Sequence, residues 1–134
     1  KDYLIMKIIK SAKEISINPN KRLTLGSLDY IRDWSYASDT VNAIYEITSK
    51  GSSYDYVIGS GVGKTIKEMV NHIFNYFNLD WTNFVDINQS LLRKGDPVKI
   101  ISDPSKLKME LNWSAKINFS QMLDKCIKGF NELS

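Results

Sequence analysis

The sequence predicts an α/β fold, rich in helix, whose strands are short. Five segments place apolar residues at a helical period, while the runs between them that read as strands are three to five residues long. No repeat, low-complexity tract or Pro/Gly linker divides the 134 residues. Strands this sparse do not make a self-sufficient sheet. The chain is long enough for one domain with a real core, so residues 1–134 are read as a single unit, incomplete by itself.

Each element has a local reason. Tyr3 to Ile15 carries Leu4, Ile5, Ile8, Ile9 and Ala12 on one helical face with lysines opposite, and Asn18-Pro19-Asn20 ends it. Tyr3 is assigned to the core. Leu23 to Leu25 reads as a strand closed by Gly26. A second helix starts at Ser38 or Asp39, either a good N-cap, and runs through Val41, Ile44, Tyr45 and Thr48 to Gly51. Tyr54 to Ile58 is a compact apolar strand, after which three glycines turn the chain into a third helix. Thr65 and Glu68 form its capping box, and Ile66, Met69, Val70, Ile73, Phe74 and Phe77 form its apolar face. Phe84 to Ile87 and Val98 to Ile101 are short strands. Asp103-Pro104 starts a helix to about Leu111, with the proline at the first helical position. Asn118 and Gln121 cap the last helix, which buries Phe119, Met122, Leu123, Cys126, Ile127 and Phe130.

Composition narrows the function classes. With 43% hydrophobic and 25% charged residues the chain is an ordinary soluble globular protein, and no apolar run approaches a membrane span. A single cysteine, Cys126, forms no internal disulfide, which favours the cytoplasm. The net charge of +3 is too small to argue for nucleic acid. The lone histidine, His72, has no Cys or His at ligand spacing, so no metal site is expected. The chain starts at Lys1 rather than Met, which leaves upstream residues open.

Two motifs imitate chemistry. Gly59-Ser60-Gly61-Val62-Gly63-Lys64-Thr65 follows a strand and precedes a helix, as a P-loop does. Five residues before Gly63, however, stands Ile58 where the phosphate cradle needs glycine, so the loop is one residue short. Tyr3 and Lys7 have the Y-x-x-x-K spacing of a reductase. A reductase also needs a Ser or Thr partner and a dinucleotide fold before the tyrosine, and two residues cannot hold them.

Two other stretches put cations beside carboxylates. In Leu25-Gly26-Ser27-Leu28-Asp29-Tyr30-Ile31-Arg32-Asp33-Trp34, Arg32 can offer a planar fork to a phosphate, with Trp34 restricting its motion. The competing reading is a surface ion pair of Arg32 with Asp33 or Asp39. In Arg93-Lys94-Gly95-Asp96-Pro97, Arg93 can neutralise phosphate while Asp96 accepts from a ribose diol. A solvated turn competes with it.

The stretch Leu23 to Ile47 resembles the pattern L-x-L-G-N-L-x-x-x-R-D-W-G-x-A-x-D-Y-V-x-A of the GDP-mannose 4,6-dehydratase family, with Leu25, Gly26, Leu28, Arg32, Asp33, Trp34, Ala37, Asp39, Val41 and Ala43 matching. Asp55 to Ile58, Thr65 to Met69 and Leu79-Asp80-Trp81 are similar to further family blocks. Asp103-Pro104-Ser105-Lys106 with Glu110-Leu111-Asn112-Trp113 resembles the D-P-S-K-A-x-x-x-L-G-W tail of sugar-nucleotide epimerases and dehydratases. Ser27, Ser35 and Thr40 depart from the pattern, as does Lys94-Gly95-Asp96 in place of Pro-Ala-Glu.

This resemblance implies the C-terminal substrate domain of an extended short-chain dehydrogenase/reductase, with the N-terminal Rossmann domain missing. It implies substrate-binding roles for Lys7 and Arg32 at the diphosphate and for Leu25 and Gly26 near the nucleobase or ribose. Arg93 and Asp96 fall on the family's arginine-acid loop. With these in register, the ligand reading outweighs the ion pair and the solvated turn, and the two guanidinium groups are expected to converge on one pyrophosphate. The full-length family enzyme uses NADP to oxidise the sugar at C4, eliminate water across C5 and C6, and return the hydride at C6. The resemblance further implies a GDP-sugar substrate and a homo-oligomer when full-length, with no nucleic acid or membrane partner. No catalytic residue falls in this chain. Another sugar-nucleotide epimerase or reductase, a GDP-heptose dehydratase, or a stand-alone binding module are the alternatives. A separated domain of this kind is expected to expose an apolar patch along Ile5, Ile8 and Ile9.

Overall fold

The computed structural model describes residues 3–50 and 55–132, which form two compact units. The first unit takes in residues 1–30, 65–98 and 123–134 of the chain. Its helix α1 (Leu4–Ile17) buries Ile8, Ile9, Ala12 and Ile15 and ends where predicted, at Asn18. Strand β1 (Leu23–Leu25) runs parallel to β4 (Val85–Ile87), pairing Leu23 with Val85 and Leu25 with Ile87. Arg22 locks this pair from outside: Nε and Nη2 grip the two carboxylate oxygens of Asp86 at 2.5 and 2.7 Å.

Helix α3 (Ile66–Tyr76) carries the predicted capping box in full: the Thr65 hydroxyl accepts the Glu68 amide at 3.0 Å, and the Glu68 carboxylate accepts the Thr65 amide at 2.8 Å. The amides of Ile66 and Lys67, among the donors that a helix start leaves open, go to the carbonyls of Tyr30 and Leu28. Met69, Val70, Ile73 and Phe74 are fully buried, with Ile66 and Phe77 partly so. Leu123 and Ile127 of the last helix, α5 (Phe119–Glu132), are also buried.

The second unit takes in residues 31–64 and 99–122. It contains β2 (Ile31–Asp33), which lies between β3 (Gly63–Thr65) and β5 (Lys99–Ile100) in a three-stranded sheet. β2 and β5 are parallel, with Arg32 opposite Ile100. Helix α2 (Ala37–Ser49) and helix α4 (Ser105–Leu111) supply Ala43 and Leu107, which enclose Trp113 in a small core with Ile47, Tyr56 and Ile58 against it. The indole N–H of Trp113 reaches the Asn42 side-chain oxygen at 3.0 Å, so the buried ring keeps its hydrogen bond. Asn118 and Gln121 cap α5 reciprocally, each side-chain oxygen accepting the other's amide at 3.0 Å.

Several expectations are corrected. Tyr3 is 89% exposed and belongs to no core. Ile8 and Ile9 are buried because α3 packs on α1, so no apolar patch lies there. Exposed apolar residues lie instead along α2, at Val41, Ile44 and Tyr45. Asp39 does not cap α2: the helix begins one residue before Ser38, with Tyr36 at the cap position and no side-chain cap bond. The apolar run from Asp55 to Ile58 pairs with no strand, since Tyr56 and Ile58 go into the small core as loop residues. Tyr54 and Gly51 lie outside the described residues. The strand forms after the glycine turn instead, and β2 itself was not expected. Pro104 occupies the cap position of α4 rather than its first turn.

Candidate functional site

In the first unit, the predicted residues gather at the C-terminal end of β1. Lys7, at the end of the first turn of the amphipathic α1, extends its ammonium to the Thr24 carbonyl at 2.7 Å. Leu25 is buried, and Gly26 follows where the chain leaves the strand. A Cβ on Gly26 would come within 2.8 Å of the Leu92 side chain, which packs directly over this backbone. Gly26 lines a cavity of about 210 Å³ with Ser27, Asp29, Trp81, Gln89 and Leu92. Lys67 lies at 5.9 Å from the centroid of the Trp81 ring in its wall. A slot with one indole and several short polar groups suits a planar ring with hydrogen-bonding edges.

Leu92 leads directly into Arg93. The Asp96 amide donates to the Arg93 carbonyl at 3.2 Å, and Gly95 has φ of 79°, which is the third position of a type II turn. The turn holds Arg93 exposed and Asp96 half-buried.

In the second unit, Arg32 is half-buried on β2 and borders a cavity of about 380 Å³, together with Asp33, Ser35, Gly59 and Ser102. Its Nη1 donates to the Ile31 carbonyl at 2.8 Å. The two acids offered as ion-pair partners have other work. Asp33 accepts the Ser60 amide at 3.1 Å, the Gly61 amide at 2.9 Å, and the hydroxyls of Ser60 and Ser102. These donors fill its four acceptor sites. Burial alone pushes the Asp33 carboxyl up, but the bonds from Ser102, Ser60 and Gly61 together outweigh it and hold the group below its ordinary value. Asp39, 6% exposed, accepts the amides of Lys116 and Ile117 at 3.0 and 2.8 Å. Trp34 donates its indole N–H to the Lys64 carbonyl at 3.3 Å. A further cavity of about 410 Å³ lies beside Trp34, Lys64 and Phe119 and is lined by none of the residues read as substrate-binding.

Within the motif, Asp33 and Asp39 accept scaffold donors, and Arg32 borders a cavity. A sequence model of the family described as GDP-mannose 4,6 dehydratase matches residues 1–126. The chain belongs to the GDP-mannose 4,6-dehydratase family. GDP-mannose 4,6 dehydratase 2 of Arabidopsis thaliana is 28% identical over 133 residues, covering 99% of this chain and 36% of its own. The Drosophila melanogaster relative is 28% identical over 149 residues, covering 98% of this chain and 38% of its own. The chain therefore spans little more than a third of the length of these family members.

Among solved structures, dTDP-glucose 4,6-dehydratase from Bacillus anthracis in complex with NAD superposes with a TM-score of 0.81 at 24% identity, covering 97% of this chain and 39% of that one. UDP-glucose 4-epimerase from Thermotoga maritima, with UDP-glucose, gives 0.79 at 22% identity, covering 98% and 40%. At these identities they show the fold, a helix-rich α/β part of the extended short-chain dehydrogenase/reductase architecture.

Neither Ser60 nor Ser102 was singled out as functional by sequence, since both are ordinary loop serines. The signal available was Gly59: it is buried, and a Cβ there would lie 2.7 Å from the Asp33 carboxylate. His72 is tied to Asp124 at 2.8 Å. Burial pushes the Cys126 thiol up, away from a nucleophile's range. Among the described residues no three His, Cys, Asp or Glu gather as a metal site, and no helix is long and apolar enough to cross a membrane.

Proposed function

We propose that this chain is the sugar-nucleotide-binding part of a GDP-mannose 4,6-dehydratase and that, by itself, it binds without turnover. On this reading Arg32, Arg93 and Lys7 are the cations that neutralise the diphosphate, and Leu25, Gly26 and Asp96 hold the nucleoside. The nicotinamide, NADP in this reading, supplies hydride transfer from a separate N-terminal Rossmann domain. This chain's residues neutralise the diphosphate and orient the hexose, so that binding energy gathered on the remote nucleotide serves the reacting sugar. The full-length protein is a cytoplasmic homo-oligomer on the same reading.

The observation that carries the proposal is Arg32: a guanidinium on a braced strand, at a cavity of about 380 Å³, in a chain of this family. UDP-glucose in the Thermotoga epimerase supports a nucleotide-sugar ligand, and NAD in the Bacillus dehydratase supports a nicotinamide cofactor for the full-length protein. Calorimetric titration of the chain with GDP, UDP and GDP-mannose tests it. The expected result is binding of both guanosine ligands in preference to UDP. Tighter UDP binding rejects the guanine assignment, and conversion of GDP-mannose by the chain with added NADP rejects the division of labour.

A further inference from the structure

We propose that Asp33 is a positioning residue for Arg32: by clamping the Ser60–Gly61 turn and Ser102 onto β2, its carboxylate sets the direction in which the Arg32 side chain meets the cavity. The inference rests on the GDP-sugar reading above. One carboxylate takes donors from two segments far apart in sequence, 27 residues away at Ser60 and 69 residues away at Ser102. Both segments wall the Arg32 cavity, through Gly59 and Ser102. Gly59 lets the backbone close over the clamp, since a Cβ there would come within 2.7 Å of Asp33 Oδ2.

Arg32 stands one residue earlier on the same strand, fixed opposite Ile100 by the β2–β5 ladder. An arginine side chain has many rotamers, and ordering it on a ligand costs entropy. A wall that is already rigid lowers this cost, which is the physical content of preorganisation. Asp33→Asn keeps the size but turns one acceptor oxygen into a donor, which then faces either the amide of Ser60 or the amide of Gly61. The clamp loosens while the charge on Arg32 is untouched.

A purely scaffolding role would lower stability without coupling to Arg32, so a double-mutant cycle separates the two. GDP affinity is measured by calorimetry on the intact chain as wild type, Asp33→Asn, Arg32→Ala and the double variant. Ser102→Ala, a milder change that deletes one hydroxyl, is run in both backgrounds. Asp33→Asn is expected to weaken GDP about tenfold and Ser102→Ala about threefold, each falling below about twofold once Arg32 is alanine. Equal losses in both backgrounds overturn the proposal. So does unchanged affinity in Asp33→Asn and Ser102→Ala while Arg32→Ala binds more weakly. If Asp33→Asn does not fold, the Ser102 cycle decides alone. Absence of GDP binding by the wild type, or no effect of Arg32→Ala, instead overturns the GDP reading, and the positioning role falls with it.

Discussion

Two sequence motifs of this chain set an arginine beside an aspartate, and the two settings treat them differently. At Arg32–Asp33 the pair sits on a strand, and the acid takes four internal donors. At Arg93 to Asp96 the pair spans a tight turn closed by one backbone bond and a glycine at φ 79°. A strand-borne acid saturated from the rest of the unit is structure, and the cation beside it inherits a rigid base. A turn-borne cation is exposed and must be ordered by whatever it binds. Stability should therefore respond to the first pair and hardly to the second.

The sharpest way to break this comparison is Asp33→Ala. It leaves the amides of Ser60 and Gly61 without their acceptor, and a loss of about 3 kcal/mol is expected in urea unfolding. Asp39→Ala leaves the amides of Lys116 and Ile117 unpaired, for which about 2 kcal/mol is expected by the same assay. Thr65→Ala removes a helix cap from the first unit and should cost about 1 kcal/mol. Arg93→Ala should change stability by less than about 0.5 kcal/mol while weakening GDP binding. A large stability loss there would erase the contrast.

The pH dependence sharpens the same point. The Asp33 carboxyl is held below its ordinary value in the folded chain, so the stability it contributes is complete above the unfolded group's range, about pH 4. That contribution is lost as pH falls through the depressed folded value. Asp33→Asn should therefore show a flatter acid limb than wild type in unfolding midpoints measured from about pH 6 to about pH 3. Identical limbs would mean that the four bonds contribute nothing.

What could be read in sequence was local chemistry. The Thr65–Glu68 box and the Asn118–Gln121 cap lie within one helical turn, and their partners are a few letters apart. The same holds for the apolar faces of α1, α3 and α5, which repeat at the period of the helix itself. Strand β2 escaped because Ile31-Arg32-Asp33 alternates nothing, and its parallel partner β5 begins at Lys99. Tyr56 and Ile58 misled because alternate apolar side chains pack beside Trp113 from a loop as readily as from a strand.

In the candidate site, sequence singled out Arg32 and Arg93 by residue type but misread Asp39. Asp39 reads as a helix cap by type and position, yet its donors are 77 and 78 residues away. No local pattern encodes such partners. The cations are conspicuous by residue type, whereas the donors that surround Asp33 and Asp39 became visible only through tertiary contacts.

The most direct measurement is a structure of this chain with GDP bound. The account predicts the diphosphate within hydrogen-bond reach of Arg32, at the cavity it shares with Asp33, Gly59 and Ser102. A diphosphate bound away from that cavity would contradict it.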